Sequence, residues 1–119
     1  MKKLPLFVLL LTFVWISVAM AAEKGWFGFG VKVAGEGFFN PTVKFITVDS
    51  IAPHSPASEQ HLAVGDQIIQ VENTEVPGHK ASELKPLMQK QVGETIHLRL
   101  KRPAGETYSV TLLAAKRPS

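Results

Sequence analysis

The sequence predicts an α+β fold that is mainly β: a small, partly open β-barrel or sandwich of five to six strands capped by two helices. Three observations predict it. Apolar residues recur at every second position in several short stretches, most clearly Phe29–Val33, Ile96–Leu100 and Tyr108–Leu112, which is the period of a strand with one buried face. Only two segments, one from Ser55 and one from about Lys80, carry helix signals. Turns rich in Gly, Pro and Asn separate these pieces at short intervals, with no linker or internal repeat, so about one hundred residues close on a single core.

The first 21 residues are read as a leader rather than as fold. Lys2-Lys3 precedes an apolar run from Leu4 to Val18, followed by Ala19-Met20-Ala21. A basic start, a short apolar stretch and an A-x-A site describe a secretory signal peptide at residues 1–21. The run is short for a spanning helix, which needs roughly 20 apolar residues; an uncleaved inner-membrane anchor is the alternative. The chain has no cysteine, hence no lipid-attachment Cys and no disulfide framework. A periplasmic location follows, with one domain at residues 22–119. Lys2 and Lys3 leave with the leader, so 13 basic residues become 11 against 10 acidic and the net charge falls from +3 to +1. That balance gives no support to nucleic-acid or anionic-membrane binding.

The elements follow in order. Glu23-Lys24-Gly25 is too short and polar for a strand. In Trp26-Phe27-Gly28-Phe29-Gly30-Val31-Lys32-Val33 the odd positions are apolar and the even ones between them are Gly, Gly and Lys, so a first strand runs from Phe29 to Val33 or slightly beyond. Glycines at a strand entry permit close approach and unusual dihedrals. A turn that exposes successive N–H groups beside an apolar pocket is able to capture a carboxylate, although the same residues also suit an ordinary glycine-rich strand start. Ala34–Pro41 reads as a loop, in which Phe38 and Phe39 are expected to fold back on the domain rather than form an exposed patch. Thr42–Val48, rich in β-branched and aromatic residues, is a second strand. Asp49–Pro53 leads from it into a turn.

Ser55 is an expected N-cap with Pro56 in the first helical position, so Ser55–Leu62 is a short helix. Gln67–Glu72 is a strand, Asn73-Thr74 a turn, and Glu75-Val76 a short extended piece. From Lys80 to Gln91 the positions Leu84, Leu87, Met88 and Gln91 share a helical face. Pro86 obstructs this, since proline is tolerated only in a first turn; the helix either starts near Ser82 or is kinked. Gly93 is expected to end it. Glu94–Arg102 and Thr107–Leu113 alternate around Pro103-Ala104-Gly105-Glu106 and predict an antiparallel hairpin.

No catalytic or metal-binding constellation is present in the pattern. The four histidines, His54, His61, His79 and His97, lack H-x-x-x-H or H-E-x-x-H spacing, and no serine sits in G-x-S-x-G. Gly28-x-Gly30 lacks the third glycine of a nucleotide loop. Asp66 is assigned a backbone-binding role in its own turn. The chain is expected to be no enzyme, with no cofactor and no metal.

Ser55-Pro56-Ala57, then Leu62–Asn73 with its Gly65-Asp66-Gln67-Ile68-Ile69-Gln70-Val71 core, resembles the SPA…L-x-x-G-D-x-I segment of PDZ domains. Gly93–Arg102 resembles their late strand. In this order and spacing the likeness covers nearly the whole of residues 22–119. Trp26-Phe27-Gly28-Phe29 stands where the family carries its G-L-G-F carboxylate-binding loop. The aromatic first residue resembles the PDZ modules of bacterial periplasmic trypsin-like serine proteases. The extra strand Thr107–Leu113, with none before Trp26, resembles the circularly permuted bacterial type, in which the last strand fills the place of the first.

The resemblance implies an exported peptide-binding module. Backbone N–H groups of Phe27, Gly28 and Phe29 would receive a terminal carboxylate, and the ligand would add as a strand along Phe29, Gly30, Val31 and Val33 beside the helix starting near Lys80. Phe27, Phe29 and Val31, with Leu84 and Leu87 from the helix, would line the pocket for the last side chain. Lys80 aligns with a helix-start position that selects ligand side chains in one subclass, where His is the usual residue. The implied partners are protein or peptide C-termini, bound by a non-catalytic adaptor. A regulatory partner of a periplasmic protease and a secretion-system subunit are the alternatives.

Overall fold

The computed structural model describes residues 23–118; the leader expected at residues 1–21 lies outside them. Six strands and two helices follow one another as β1 (Phe29–Glu36), β2 (Thr42–Ile51), α1 (Pro56–Glu59), β3 (Gln67–Val71), β4 (Thr74–Glu75), α2 (Ala81–Met88), β5 (Thr95–Lys101) and β6 (Thr107–Leu113). The strands form one antiparallel sheet in the order β1-β2-β3-β5-β6, with β4 paired to β3. Among the described residues both outer strands are open edges, yet they are drawn together at one point. Trp26, just before β1, pairs with Ala115, just after β6, which makes the sheet a partly open barrel.

Alternation becomes packing most cleanly in β5, where Ile96, Leu98 and Leu100 are buried and the four residues between and beside them are exposed. Val43, Ile46 and Val48 of β2 join the same core with Ile68 and Val71 of β3. β2 is the longer partner of β1, and the register shifts twice, between Gly30 and Val31 and between Ala34 and Gly35. Asp49 and Lys44 are the extra residues, so both bulges sit on β2 and add local twist. β1 itself carries no extra residue.

The short helix α1 is set by its cap. Ser55 is extended (φ −110°, ψ 164°), its Oγ accepts the Ser58 N–H at 3.1 Å, and Ser58 Oγ accepts the Ser55 N–H at 3.0 Å. This reciprocal pair satisfies donors that a helix start otherwise leaves orphaned. The helix stops at Glu59, where His61 turns to φ 66°.

The expectations for the end of α2 and for Phe38 and Phe39 require correction. The helix α2 begins at Ala81, between the two starts expected, but it ends at Met88 with Pro86 in its second turn and does not reach Gln91. It ends early because residues 90 and 91 are recruited by the segment before β1: Gly25 N–H bonds Lys90 C=O at 2.8 Å and Lys24 pairs with Gln91. The segment Glu23–Gly25 forms no strand, as expected, and pairs only through an isolated bridge and the Gly25 bond. Phe38 and Phe39 do not fold back. They are 94% and 96% exposed, with ring centroids 5.5 Å apart.

Candidate functional site

Three backbone carbonyls fix the segment between Trp26 and Phe29. Trp26 C=O accepts the Ala115 N–H at 3.0 Å, Phe27 C=O accepts the Ala57 N–H at 3.0 Å, and Gly28 C=O accepts the Ala52 N–H at 2.7 Å. In a planar trans peptide the C=O and the following N–H point opposite ways. The anchored carbonyls therefore turn the N–H groups of Phe27, Gly28 and Phe29 away from their three anchors. Among the described residues, the Phe27 and Gly28 N–H groups have no hydrogen-bond partner. Three successive donors on a fixed frame are chemically able to receive an anion, at the strength of charge-assisted bonds.

Only glycine fits the centre of this loop. Gly28 is buried at φ +84°, and an added Cβ would lie 2.1 Å from Ser55 Cβ and 2.5 Å from Ser55 Oγ. Ser55 is itself fully buried and donates its hydroxyl to Ala52 C=O at 2.7 Å. The cap of α1 and the turn of the loop are thus pressed together, and Phe27 C=O holds Ala57 inside that helix.

The adjoining edge of β1 is open, and its pairing shows which residues face outward. Val48 gives its N–H to Asp66 C=O and its C=O to Gly65 N–H; Val43 bonds His79 and Gly78 in the same way. Their β1 partners, Val31 and Gly35, consequently face them without exchanging hydrogen bonds and hold their own N–H and C=O to the free edge. By alternation Val33 does the same, and the Gly28–Ala52 bond sets Phe29 likewise. Phe29, Val31, Val33 and Gly35 form a ladder continuous with the loop, with no strand paired to it among the described residues, an edge to which a strand can add.

Beside that edge lies an apolar groove of about 280 Å³, lined by Val31 and Val33 of β1, Val43 and Ile46 beneath, and Ala81, Leu84, Lys85, Met88 and Gln89 on the α2 side. Of the residues expected here, Val31, Val33 and Leu84 line it. Phe27, Phe29 and Leu87 are partly buried against the core instead, with the two Phe rings 6.4 Å apart. Lys80 does not line it either: it is the N-cap of α2, bridged to Thr42, with its N–H bonded to Glu83 Oε1 at 2.8 Å. The groove face of α2 is the stripe Ala81, Leu84, Lys85, Met88. It shows the helical spacing i, i+3, i+4, i+7, but a small residue and a lysine hide it in the sequence. Lys85 takes part through its aliphatic stem.

Away from the groove, Asp66 is 1% exposed, and its Oδ2 receives Arg102 Nη1 at 2.8 Å, the Tyr108 hydroxyl and the Ala63 N–H. The Ala63 bond is the backbone role expected of it; the link to β6 through Tyr108 was not legible. The Arg102 guanidinium lies 4.1 Å above the Tyr108 ring, and burial, reinforced by the Asp66 carboxylate, drives the Tyr108 hydroxyl well above its ordinary pKa. No group of three or more potential metal ligands occurs among the described residues.

Residues 16–101 match the family model of the PDZ domain, a match that stops before β6. No curated protein matches the chain. Among solved structures, the PDZ domain of a carboxy-terminal protease from Vibrio cholerae, in complex with peptide, is similar with TM-score 0.62 at 18% identity, over 83% of this chain and 100% of that one. The photosystem II D1 C-terminal processing protease gives 0.60 at 23% identity, over 85% of this chain and 26% of that one. The HtrA-type protease AlgW with decapeptide gives 0.58 at 23%, over 81% and 30%. The chain spans all of the first structure and about a quarter to a third of the two proteases.

Proposed function

The chain belongs to the PDZ domain family, and from that premise we propose that it is an exported, non-catalytic peptide-binding module that captures C-terminal segments by strand addition. The carboxylate enters the cradle made by the N–H groups of Phe27, Gly28 and Phe29. The preceding residues pair along Phe29, Val31, Val33 and Gly35, and their side chains alternate into the groove against α2. The observation that carries this reading is the anchoring of three successive carbonyls by Ala115, Ala57 and Ala52, which leaves donors turned outward at the head of an open edge. A carboxylate on such donors is bound at charge-assisted strength, so about 1.5–3 kcal/mol rides on each bond.

The test is a C-terminal peptide library on the purified protein, followed by amidation of the best peptide. Binding should favour an apolar last residue and fall at least about tenfold on amidation, which corresponds to about 1.4 kcal/mol. Equal affinity for acid and amide would refute the cradle. A second reading, regulation of a protease supplied in trans, is favoured by the similar structures, which are protease domains or proteases. It predicts that a protease of the same compartment changes its turnover when this protein is added.

A further inference from the structure

The most anomalous surface is the pair Phe38 and Phe39, 94% and 96% exposed with touching rings. Adjacent large apolar side chains left in water mark an interaction site rather than random scatter. The pair sits in the turn between β1 and β2, and this turn is fastened. Asn40 Oδ1 accepts the Ser82 N–H at 3.2 Å, Pro41 C=O accepts the Ala81 N–H at 2.9 Å, and Thr42 pairs with Lys80. The turn is thus tied to the first residues of α2, at the end of the groove opposite to the cradle.

Direction then identifies the occupant. A strand added to β1 with its carboxylate at Phe27–Phe29 runs antiparallel to β1, so its upstream part travels past Val33 and Gly35 toward Glu36. The next side chains it meets are Phe38 and Phe39. Glu36 at that exit is paired with Lys44 at 3.1 Å, which leaves the apolar rings as the distinguishing contact there. We propose that Phe38 and Phe39 form a second contact point for the same ligand, taking an aliphatic or aromatic residue about eight to ten positions upstream of its carboxylate, one ligand residue passing each β1 residue. This rests on the reading of the groove as the peptide site and extends it from a terminal motif to a segment of roughly ten residues.

The experiment uses twelve-residue peptides from the library, each also shortened to its last six residues, and measures the affinity of the wild type and of the variant Phe38→Ser/Phe39→Ser. Both side chains lie in water, so the variant should keep its melting temperature; Phe38→Leu/Phe39→Leu serves as the apolar control. The wild type is expected to bind the long peptide about tenfold or more tighter than the short one. The serine variant should bind both alike, at the short-peptide affinity, and the leucine variant should keep most of the difference. An unchanged long-peptide preference in the serine variant overturns the proposal. So does a wild type indifferent to length, whether the variant then loses sedimentation with phosphatidylglycerol vesicles, loses self-association, or loses neither. Amidated versions of both peptides separate the premise from the extension, because a failed cradle removes the effect of amidation but not that of length.

Discussion

Replacing Gly28 by alanine is expected to destabilise the domain through two separable terms. The first is conformational: at φ +84° an L-residue incurs about 1–2 kcal/mol. The second is steric. The new methyl would stand 2.1 Å from Ser55 Cβ and 2.5 Å from its Oγ, atoms that are buried and committed to Ala52 and Ser58, so they have no room to yield. Overpacking of this kind costs about 1–3 kcal/mol. The sum, about 2–5 kcal/mol, lowers the melting temperature of a domain this size by about 10 °C or more. Gly93→Ala supplies the reference, since Gly93 has a similar φ of +93° and nothing within 4 Å of its added Cβ. It should show the conformational term alone. Urea unfolding of both variants, followed by circular dichroism, gives the difference directly. If Gly28→Ala and Gly93→Ala are equal within about 0.5 kcal/mol, the loop does not press on Ser55, and the claim that the α1 cap holds the cradle is wrong.

Val33→Arg, at a half-exposed groove position, should leave stability within about 1 kcal/mol while weakening the library peptide at least tenfold in a fluorescence titration. Ala115→Pro removes the N–H that holds Trp26 C=O and should lower peptide affinity several-fold, with a stability loss of only about 1 kcal/mol; calorimetry of binding and of unfolding reads both. The raised Tyr108 pKa, caused first by burial and then by Asp66, contributes stability that is complete below the ordinary tyrosine pKa of about 10 and is lost as pH rises above it. Urea midpoints between pH 8 and pH 11 should fall more steeply for the wild type than for Tyr108→Phe, and parallel curves would refute the link.

What the sequence revealed and concealed divides along physical lines. Period-two alternation in β5 and β6 was readable because one face of each strand is buried and the other wet. Ser55 and Pro56 announced α1 through local cap chemistry, which needs no partner distant in the chain. The end of α2 was hidden because it is decided by Lys24 and Gly25, about sixty-five residues away, and long-range pairing overrides local propensity. The groove stripe was misread at Leu87 for a related reason. Hydrophobicity alone selects the leucine, whereas the backbone turns Ala81, Lys85 and Met88 into the groove. The fate of Phe38 and Phe39 had no local signal, since a loop aromatic looks the same whether it folds back or stays in water.

The bond between Trp26 and Ala115 ties the first donor of the proposed cradle to the segment after β6. Its two partners are about ninety residues apart, so their meeting belongs among the slow, non-local steps of folding. During synthesis, the residues of β1 and the Ser55 cap are made long before residue 115 exists, although a domain of this size folds as a unit. Until then the Trp26 carbonyl has no clamp, and the first donor of the cradle is free to turn. An incomplete molecule, or one trimmed from its C-terminal side past residue 115, would still carry the groove yet hold its targets poorly. The segment after β6 would thereby help to set the quality of recognition at the opposite edge of the sheet.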